Sequence, residues 1–594
     1  MSRLLFIFLS LGFLLSSSAA EKPNIILIYT DDHGWPDIGS AGIYEDLKTP
    51  HLDQLAEDGV RCTNGYVTAP QCVPSRGGLL AGRDQSRFGL ETNGSTLEGF
   101  NAEETIAERL QAAGYATGQI GKWHLGPVAE ITQHGFDDVF AKNSARPAFA
   151  TYHLDGSDRE PGLDETKLYH LDACSQAATA FIDRHARKPF FLYLAYRAPH
   201  VPLDAPPKYL ERFPGEMPER RRQALAMISA MDDGVGMIRE KLKQHQLCEK
   251  TLIFFIGDNG APLKIHKVDA PGGGPGWDGS LNEPMNGEKG MLSEGGIRVP
   301  FLAAWPGTIP PGQVSDEPVI SLDVAATAMA LAGSKSSKDL DGVNLIPYWS
   351  GEKKGLPERS LFWRWSTQAA TRSGDWKYLR GGSREYLFNL KNDPEEKKNL
   401  AKEEPEKLQT LRKSLEDWTE ELTPKGLLGD SMPGTWERYY DHYLDGKIVT
   451  KEALSEKPEA ATLGWIVRNA GVHPRANGLH VIDGNPKGAL PPFLARSRIA
   501  IPGPYEVRVQ FAKPVSGDVS IEWREEGQDD FSRDQRLSLV GGEIQKSGTV
   551  ASKSKTIHLR VRVPKGNSVI RSIEVLSADG KFLESWNFLK KGDE

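Results

Sequence analysis

The chain predicts an α/β fold with a mainly parallel central sheet, followed by a small α+β unit and an appended β-sandwich. Three observations lead there. Short, nearly unbroken apolar runs at 24–30, 189–196 and 251–256 have the texture of strands buried on both faces. Helical patterns lie between them, at 102–113, 168–185 and 221–245, and strands that alternate with helices tend to pair in parallel. From about residue 357 the runs turn short, with Gly, Pro, Asp and Ser between them, which is the punctuation of antiparallel sheets.

At the N-terminus, Arg3 precedes an apolar run at 4–15 and then Ser16-Ser17-Ser18-Ala19-Ala20. This is the pattern of a secretory leader, 1–20, cleaved after Ala20, and it predicts an exported chain, periplasmic or secreted. No later stretch approaches the roughly 18 apolar residues of a membrane span. A catalytic α/β domain is expected at 21–356. Its first strand ends on Asp31-Asp32-His33-Gly34. Adjacent carboxylates where a strand gives way to loop can turn towards one hard cation, or serve as a turn pair. In such sheets ligands sit beyond the carboxyl ends of the strands.

Next comes Cys72-Val73-Pro74-Ser75-Arg76, continuing to Gly82-Arg83. Pro74 suits a first helical turn, so Cys72 is placed at a helix N-terminus with backbone N–H groups facing any nearby anion. Arg76, one turn on, adds a planar fork suited to oxyanions. A lone cysteine there is most often a structural thiol. The helix at 102–113 leads into 114–126, where Lys122 and His124, two apart, share a face if the segment is extended.

The second strand ends at His200, held between Pro199 and Pro202, which predicts a stiff, extended backbone. A histidine titrates near neutrality and suits proton transfer. Asp258-Asn259 close the third strand at an equivalent edge. With Asp31 and Asp32 they make four oxygen donors, which suit Ca2+; Mg2+ is the lesser choice because it keeps its waters. Lys289 precedes Glu294-Gly295-Gly296-Ile297-Arg298, in which Arg298 reads as structural.

Trp376-Lys377-Tyr378 and Tyr386-Leu387-Phe388-Asn389-Leu390 read as paired strands, with a turn at 392–395 and a helix at 405–422. They define a subdomain at 357–422. The segment 423–461, of mixed charge and breakers, reads as a linker. Alternating runs at 505–511, 519–523, 556–563 and 569–575 predict a sandwich at 462–594, for packing or for carbohydrate binding. The net charge of −8 argues against a general nucleic-acid binder. Attraction of an anionic substrate then falls to local cations.

The runs at 72–83 and 114–126 resemble the two signatures of the type I, formylglycine-dependent sulfatases of the alkaline phosphatase superfamily, with Ala81 where the family has Thr. Leu387-Phe388-Asn389-Leu390 and Asp393-Pro394-Glu395-Glu396 share the wording of that family's C-terminal subdomain, so the resemblance spans about residues 22–422. It implies an alkaline-phosphatase-like fold. It also implies that Cys72 is oxidised to formylglycine by a formylglycine-generating enzyme, and that Asp31, Asp32, Asp258 and Asn259 bind Ca2+ together with the converted Cys72. Arg76, Lys122 and Lys289 would hold sulfate oxygens. His200 would contact substrate and protonate the leaving alcohol, while His124 would take the proton that lets sulfate depart.

The resemblance further implies a sulfated polysaccharide or glycosaminoglycan fragment as substrate, with loops at 144–162 and 271–278 available to line its pocket. Conversion of Cys72 would leave Cys62, Cys174 and Cys248, enough for one disulfide at most; all three read as structural. Two readings compete. One is a phosphodiesterase or phosphonate monoester hydrolase of the same superfamily, and the other a glycan-binding protein on an inactive sulfatase fold. The Gly-Lys-Trp-His-Leu-Gly run at 121–126 favours sulfate, and the complete residue set favours an enzyme.

Overall fold

A computed structural model describes residues 22–263, 277–333, 339–432, 434–447, 462–468, 470–483 and 491–589, except 527, 529, 530, 532 and 533. The expected leader at 1–20, most of the Gly-rich stretch 271–278 expected to be a loop, and residues 448–461 of the expected linker lie outside the described residues. Strands β1 (Asn24–Asp31), β2 (Ala116–Gly121), β3 (Phe190–Pro199), β4 (Thr251–Gly257) and β5 (Phe301–Ala304) adjoin in the order β5-β4-β1-β3-β2 within a ten-stranded sheet. The first four run parallel and β5 antiparallel; Ile26 pairs with Leu192 on one side and Ile253 on the other.

Every residue of β1 is buried. Ile25, Leu27 and Tyr29 enter one core and Ile26 and Ile28 another, so the alternation of a pleated strand feeds two apolar layers. That is why the run carries no polar face. Helices α1 (Cys72–Ala81), α2 (Ile106–Ala112), α3 (His170–His185) and α4 (Glu219–Gln244) belong to these layers. The helix expected from 102 begins only at Ile106, because Thr105 and Glu108 form a capping box there. The expected loop at 144–162 is instead largely a hairpin, Ala148–Tyr152 against Asp158–Asp164, at the sheet edge. Its first strand alternates buried and half-buried residues.

Strands β6 (Ser360–Trp365), β7 (Gln368–Ser373), β8 (Trp376–Gly381) and β9 (Arg384–Asn389) form an antiparallel meander. Helix α5 (Pro405–Thr419) packs Leu411 and Leu415 against its Tyr378 and Leu387. The segment expected to be a linker is only partly one. Within it α6 (Gly434–Tyr443) is a helix, and its Trp436, Tyr439, Tyr440 and Tyr443 fall at the i, i+3, i+4, i+7 spacing of a buried stripe. The four expected sandwich strands are present as Tyr505–Phe511, Ser520–Glu525, Thr556–Arg562 and Asn567–Ser577. They belong to two antiparallel sheets of five and seven strands that share one core, including Val507, Ile521, Leu559 and Ile573.

Lys377 of β8 is fully buried and lies 2.8 Å from both Glu294 and Glu396, which ties the meander to the segment that holds Glu294. Against the effect of burial, Lys377 and Arg298 hold the Glu294 carboxyl down to about 2, whereas burial pushes Glu396 up to about 7. Removing one member of a buried charge cluster strands the others. Lys377→Met is therefore expected to lower the unfolding free energy by about 3–5 kcal/mol, read by denaturant melts at neutral pH; a loss below about 1 kcal/mol would contradict this role of the seam.

Candidate active site

Asp31 is the last residue of β1 and Asp32 follows with φ 57°, in the left-handed region that aspartate tolerates better than most residues. Consecutive residues of a regular strand point to opposite faces. With the change of backbone at Asp32, both carboxylates converge on Cys72 Sγ at the carboxyl end of the sheet. Asp258 sits at the matching end of β4, and its Oδ1 accepts the Asp32 backbone N–H at 3.0 Å.

Cys72 opens α1 as expected, is 1% exposed, and donates to Asp31 Oδ1 at 3.3 Å. The helix terminus, however, does not offer a row of open N–H groups. Asn93 Oδ1 takes the N–H of Val73, Gln71 O takes that of Ser75, and Pro74 has none. A helix N-terminus ordinarily lowers a thiol's pKa. Here burial, followed by the nearby Asp258, pushes Cys72 well up despite Lys122 and Lys289.

Arg76 lies one turn further on and is fully buried. Its Nε and Nη2 donate to Asp258 Oδ2 at 3.1 and 2.8 Å, and Nη1 donates to the Tyr193 hydroxyl at 3.1 Å. Its guanidinium also lies over the Tyr29 ring. Lys122 Nζ donates to Asp31 Oδ2 at 2.6 Å. Lys289 Nζ donates to both oxygens of Asp32, at 2.6 and 2.8 Å, and lies 3.4 Å from Cys72 Sγ. The cluster thus sets three carboxylates against Arg76, Lys122 and Lys289 round one sulfur atom.

The histidines are placed differently from expectation. β2 stops at Gly121, where φ is 90° and a Cβ would lie 2.1 Å from Ala195 O. His124 has φ 64°, so 122–124 is not extended and the two side chains do not share a strand face. Lys122 turns inward and His124 is exposed at the mouth. Burial of part of the ring, with the Lys122 charge beside it, pushes His124 down to about 3. His200 likewise lies in a bend beyond β3 rather than in an extended run, and its N–H bonds Arg197 O. Its Nδ1 bonds Val201 O, which leaves Nε2 facing Asp32 Oδ2 at 3.6 Å. Burial lowers its pKa, against Asp31 and Asp32.

For a cation, single ligand atoms of Asp31, Asp32, Cys72 and His200 lie within 4.8 Å of one another. Asn259 donates through Nδ2 to Asp32 Oδ1 and Gly260 O, and its Oδ1 is buried with no partner. A buried carbonyl oxygen without a donor is what a hard cation satisfies. Arg298 is structural, bonded to Thr63 O and Glu294. Sequence reasoning missed Tyr29 and Tyr193, whose hydroxyls meet Ser75 and Arg76, and Asn93. The signal for the tyrosines was a polar tip in an otherwise apolar buried strand.

Fixed cations round a carboxylate cluster at the carboxyl end of a parallel sheet suit an enzyme that acts on anionic esters. Comparison with known proteins narrows that class. The sulfatase family model matches residues 23–334, and a model for the C-terminal region of N-sulphoglucosamine sulphohydrolase matches 287–424. The chain belongs to the sulfatase family. Human N-acetylgalactosamine-6-sulfatase is 35% identical over 363 residues, 56% of this chain and 66% of that protein. Rat arylsulfatase G is 32% identical over 66% of this chain and 85% of its own length. The crystal structure of Ps i-CgsB in complex with k-i-k-neocarrahexaose superposes with a TM-score of 0.60 at 30% identity, covering 74% of this chain and 100% of that one.

All four cysteines are unpaired, and Cys248 is the one that is not fully buried. In folded protein prepared without conversion of position 72, a thiol alkylator followed by peptide mass spectrometry is expected to label Cys248 and to reach Cys72 only after denaturation. Equal labelling of Cys72 in the native state would contradict the closed packing round it.

Proposed function

We propose that the protein is an exported sulfuric ester hydrolase that removes sulfate from sulfated polysaccharide or glycosaminoglycan fragments, with formylglycine at position 72 and Ca2+ at the carboxylates. The observation that carries this is the convergence of Arg76, Lys122 and Lys289 on the carboxylates that also touch Cys72. The relatives named for sulfated sugars, and the neocarrahexaose complex formed by a 30% identical protein, support the substrate class. Export rests on the leader-like residues 1–20. Among the described residues no helix is long and apolar enough to cross a membrane.

Asp31, Asp32, Asp258 and Asn259 would hold the calcium ion, with the orphaned Asn259 Oδ1 as a ready ligand. Bound there, the ion would supply positive charge for the sulfate oxygens and would acidify a neighbouring hydroxyl. Formylglycine would supply, as its hydrate, a nucleophile with a second geminal oxygen, so that sulfate need not stay on the enzyme. Protein groups do the rest. Lys122 and Lys289 are anchored by one hydrogen bond to Asp31 or two to Asp32, and can turn their remaining protons to the sulfate oxygens. Arg76, pinned by Asp258 and Tyr193, keeps a fixed cation below them. With Nδ1 committed to Val201 O, His200 has Nε2 to exchange a proton with the leaving oxygen. His124, exposed beside Lys122, would take the proton whose loss lets sulfate depart.

Sulfate release from aryl sulfate and from defined sulfated oligosaccharides is expected to outrun phosphate release from aryl phosphate. Faster phosphate turnover would favour the phosphodiesterase or phosphonate hydrolase reading, and glycan binding without sulfate release the inactive one. Calcium is expected to raise the melting temperature, and Asn259→Leu to remove most of that shift; an unchanged shift in the variant would place the ion elsewhere.

A further inference from the structure

Lys289 is carried by a turn that has little stiffness of its own. Gly287 and Gly290 flank it with φ 86° and 91°, and glycines permit many backbone alternatives. Its long side chain must nevertheless place Nζ between Asp32 and Cys72. Two bonds from the catalytic layer hold the turn: Lys289 N donates to Ala261 O, and Gly290 N to Pro70 O, two residues before Cys72.

Asn282 Nδ2 donates to Gly287 O, Gly295 N to Asn286 O and Met291 N to Glu288 O. Further restraints come from α6, which lies beyond residue 424, where the matched family models end. The Trp436 ring presses on Gly290 so closely that a Cβ at that glycine would fall 2.0 Å from ring atom Cη2. The Tyr443 hydroxyl donates to Glu288 Oε1 at 3.0 Å, and Asn286 Nδ2 donates to Tyr443 O at 2.6 Å. Tyr440, fully buried, donates to Gln368 Oε1 at 2.9 Å; the same side chain bonds Gly290 O and Leu292 N. The helix therefore grips 286, 288 and 290 directly, and 290 and 292 through Gln368. Trp436 is itself seated edge-on against Trp365.

We propose that α6 is a strap that positions Lys289 for the sulfate group, with Trp436 and Tyr443 as positioning residues that touch the turn and not the substrate. The proposal rests on Lys289 as a sulfate-holding group. A strap that presses on backbone fixes where the ammonium can reach, and misplacement of a catalytic contact by about 1 Å costs on the order of 100-fold in rate.

The test is a double-mutant cycle on the full-length, formylglycine-containing, calcium-loaded protein, with kcat and KM for an aryl sulfate and melting temperature as readouts. Trp436→Ala is expected to lower kcat/KM by about 10- to 100-fold, Trp436→Phe to recover most of it, and Tyr443→Phe to lose a few-fold. In a Lys289→Met background Trp436→Ala is expected to lose less than about twofold further, because the group it positions is gone. A silent Trp436→Ala, or the same fold loss in both backgrounds, would overturn the strap, since a merely structural helix weakens both enzymes alike. Should Trp436→Ala fail to fold, the Tyr443→Phe arm carries the same cycle with the same criterion. If Lys289→Met keeps parental activity, the strap and the role of Lys289 both fall. An inactive Lys289→Met beside a silent Trp436→Ala overturns the strap alone.

Discussion

The carboxyl end of the sheet is organised by the burial of Asp31, Asp32 and Asp258 together, all at 1% exposure or less. Carboxylates taken out of water are tolerated only when paired and hydrogen-bonded. Arg76, Lys122 and Lys289 supply that pairing from three separate chain segments, each delivered by a different local device. Arg76 comes from the second turn of a buried helix, Lys122 from the residue after a strand-ending glycine, and Lys289 from a glycine turn. Even so the balance is incomplete: burial, with Asp31 next, pushes Asp258 up to about 7.

The same demand explains the state of Cys72. Set among carboxylates and cut off from solvent, it is held as a thiol and bonded to Asp31. The architecture also keeps the rigid and adjustable groups apart. Arg76 has no exposure and donates to Asp258, Tyr193 and the Lys122 carbonyl, whereas Lys289, His200 and His124 sit on turns or bends nearer the mouth.

Much of this was legible from the residues. β1, β3 and β4 announced themselves because a strand buried on both faces has no polar alternation, and the site residues sit where those strands end. β2 was hidden, since Gly118 stands where a Cβ would lie 2.5 Å from the Phe181 ring, and a small residue there breaks the apolar run. β6 and β7 were hidden for the opposite reason. Their polar Arg364, Gln368 and Arg372 interrupt any apolar alternation, yet each is buried and bonded to the large α/β layer. Backbone geometry was the larger gap. The left-handed backbone at His124 and the bend at His200, closed by the local bond from His200 N to Arg197 O, are not encoded in residue spacing. The aromatic stripe of α6 was readable by its period, but its charged neighbours gave it the texture of a linker.

The proposed chemistry turns on Cys72 being the precursor of the working group and not the group itself. The decisive experiment is mass spectrometry of the peptide containing position 72, taken from enzyme of full specific activity. The aldehyde, recognisable by its mass and by reaction with a hydrazide, is expected in proportion to activity across preparations of different conversion. Fully active enzyme with only unmodified cysteine at position 72 would contradict the mechanism.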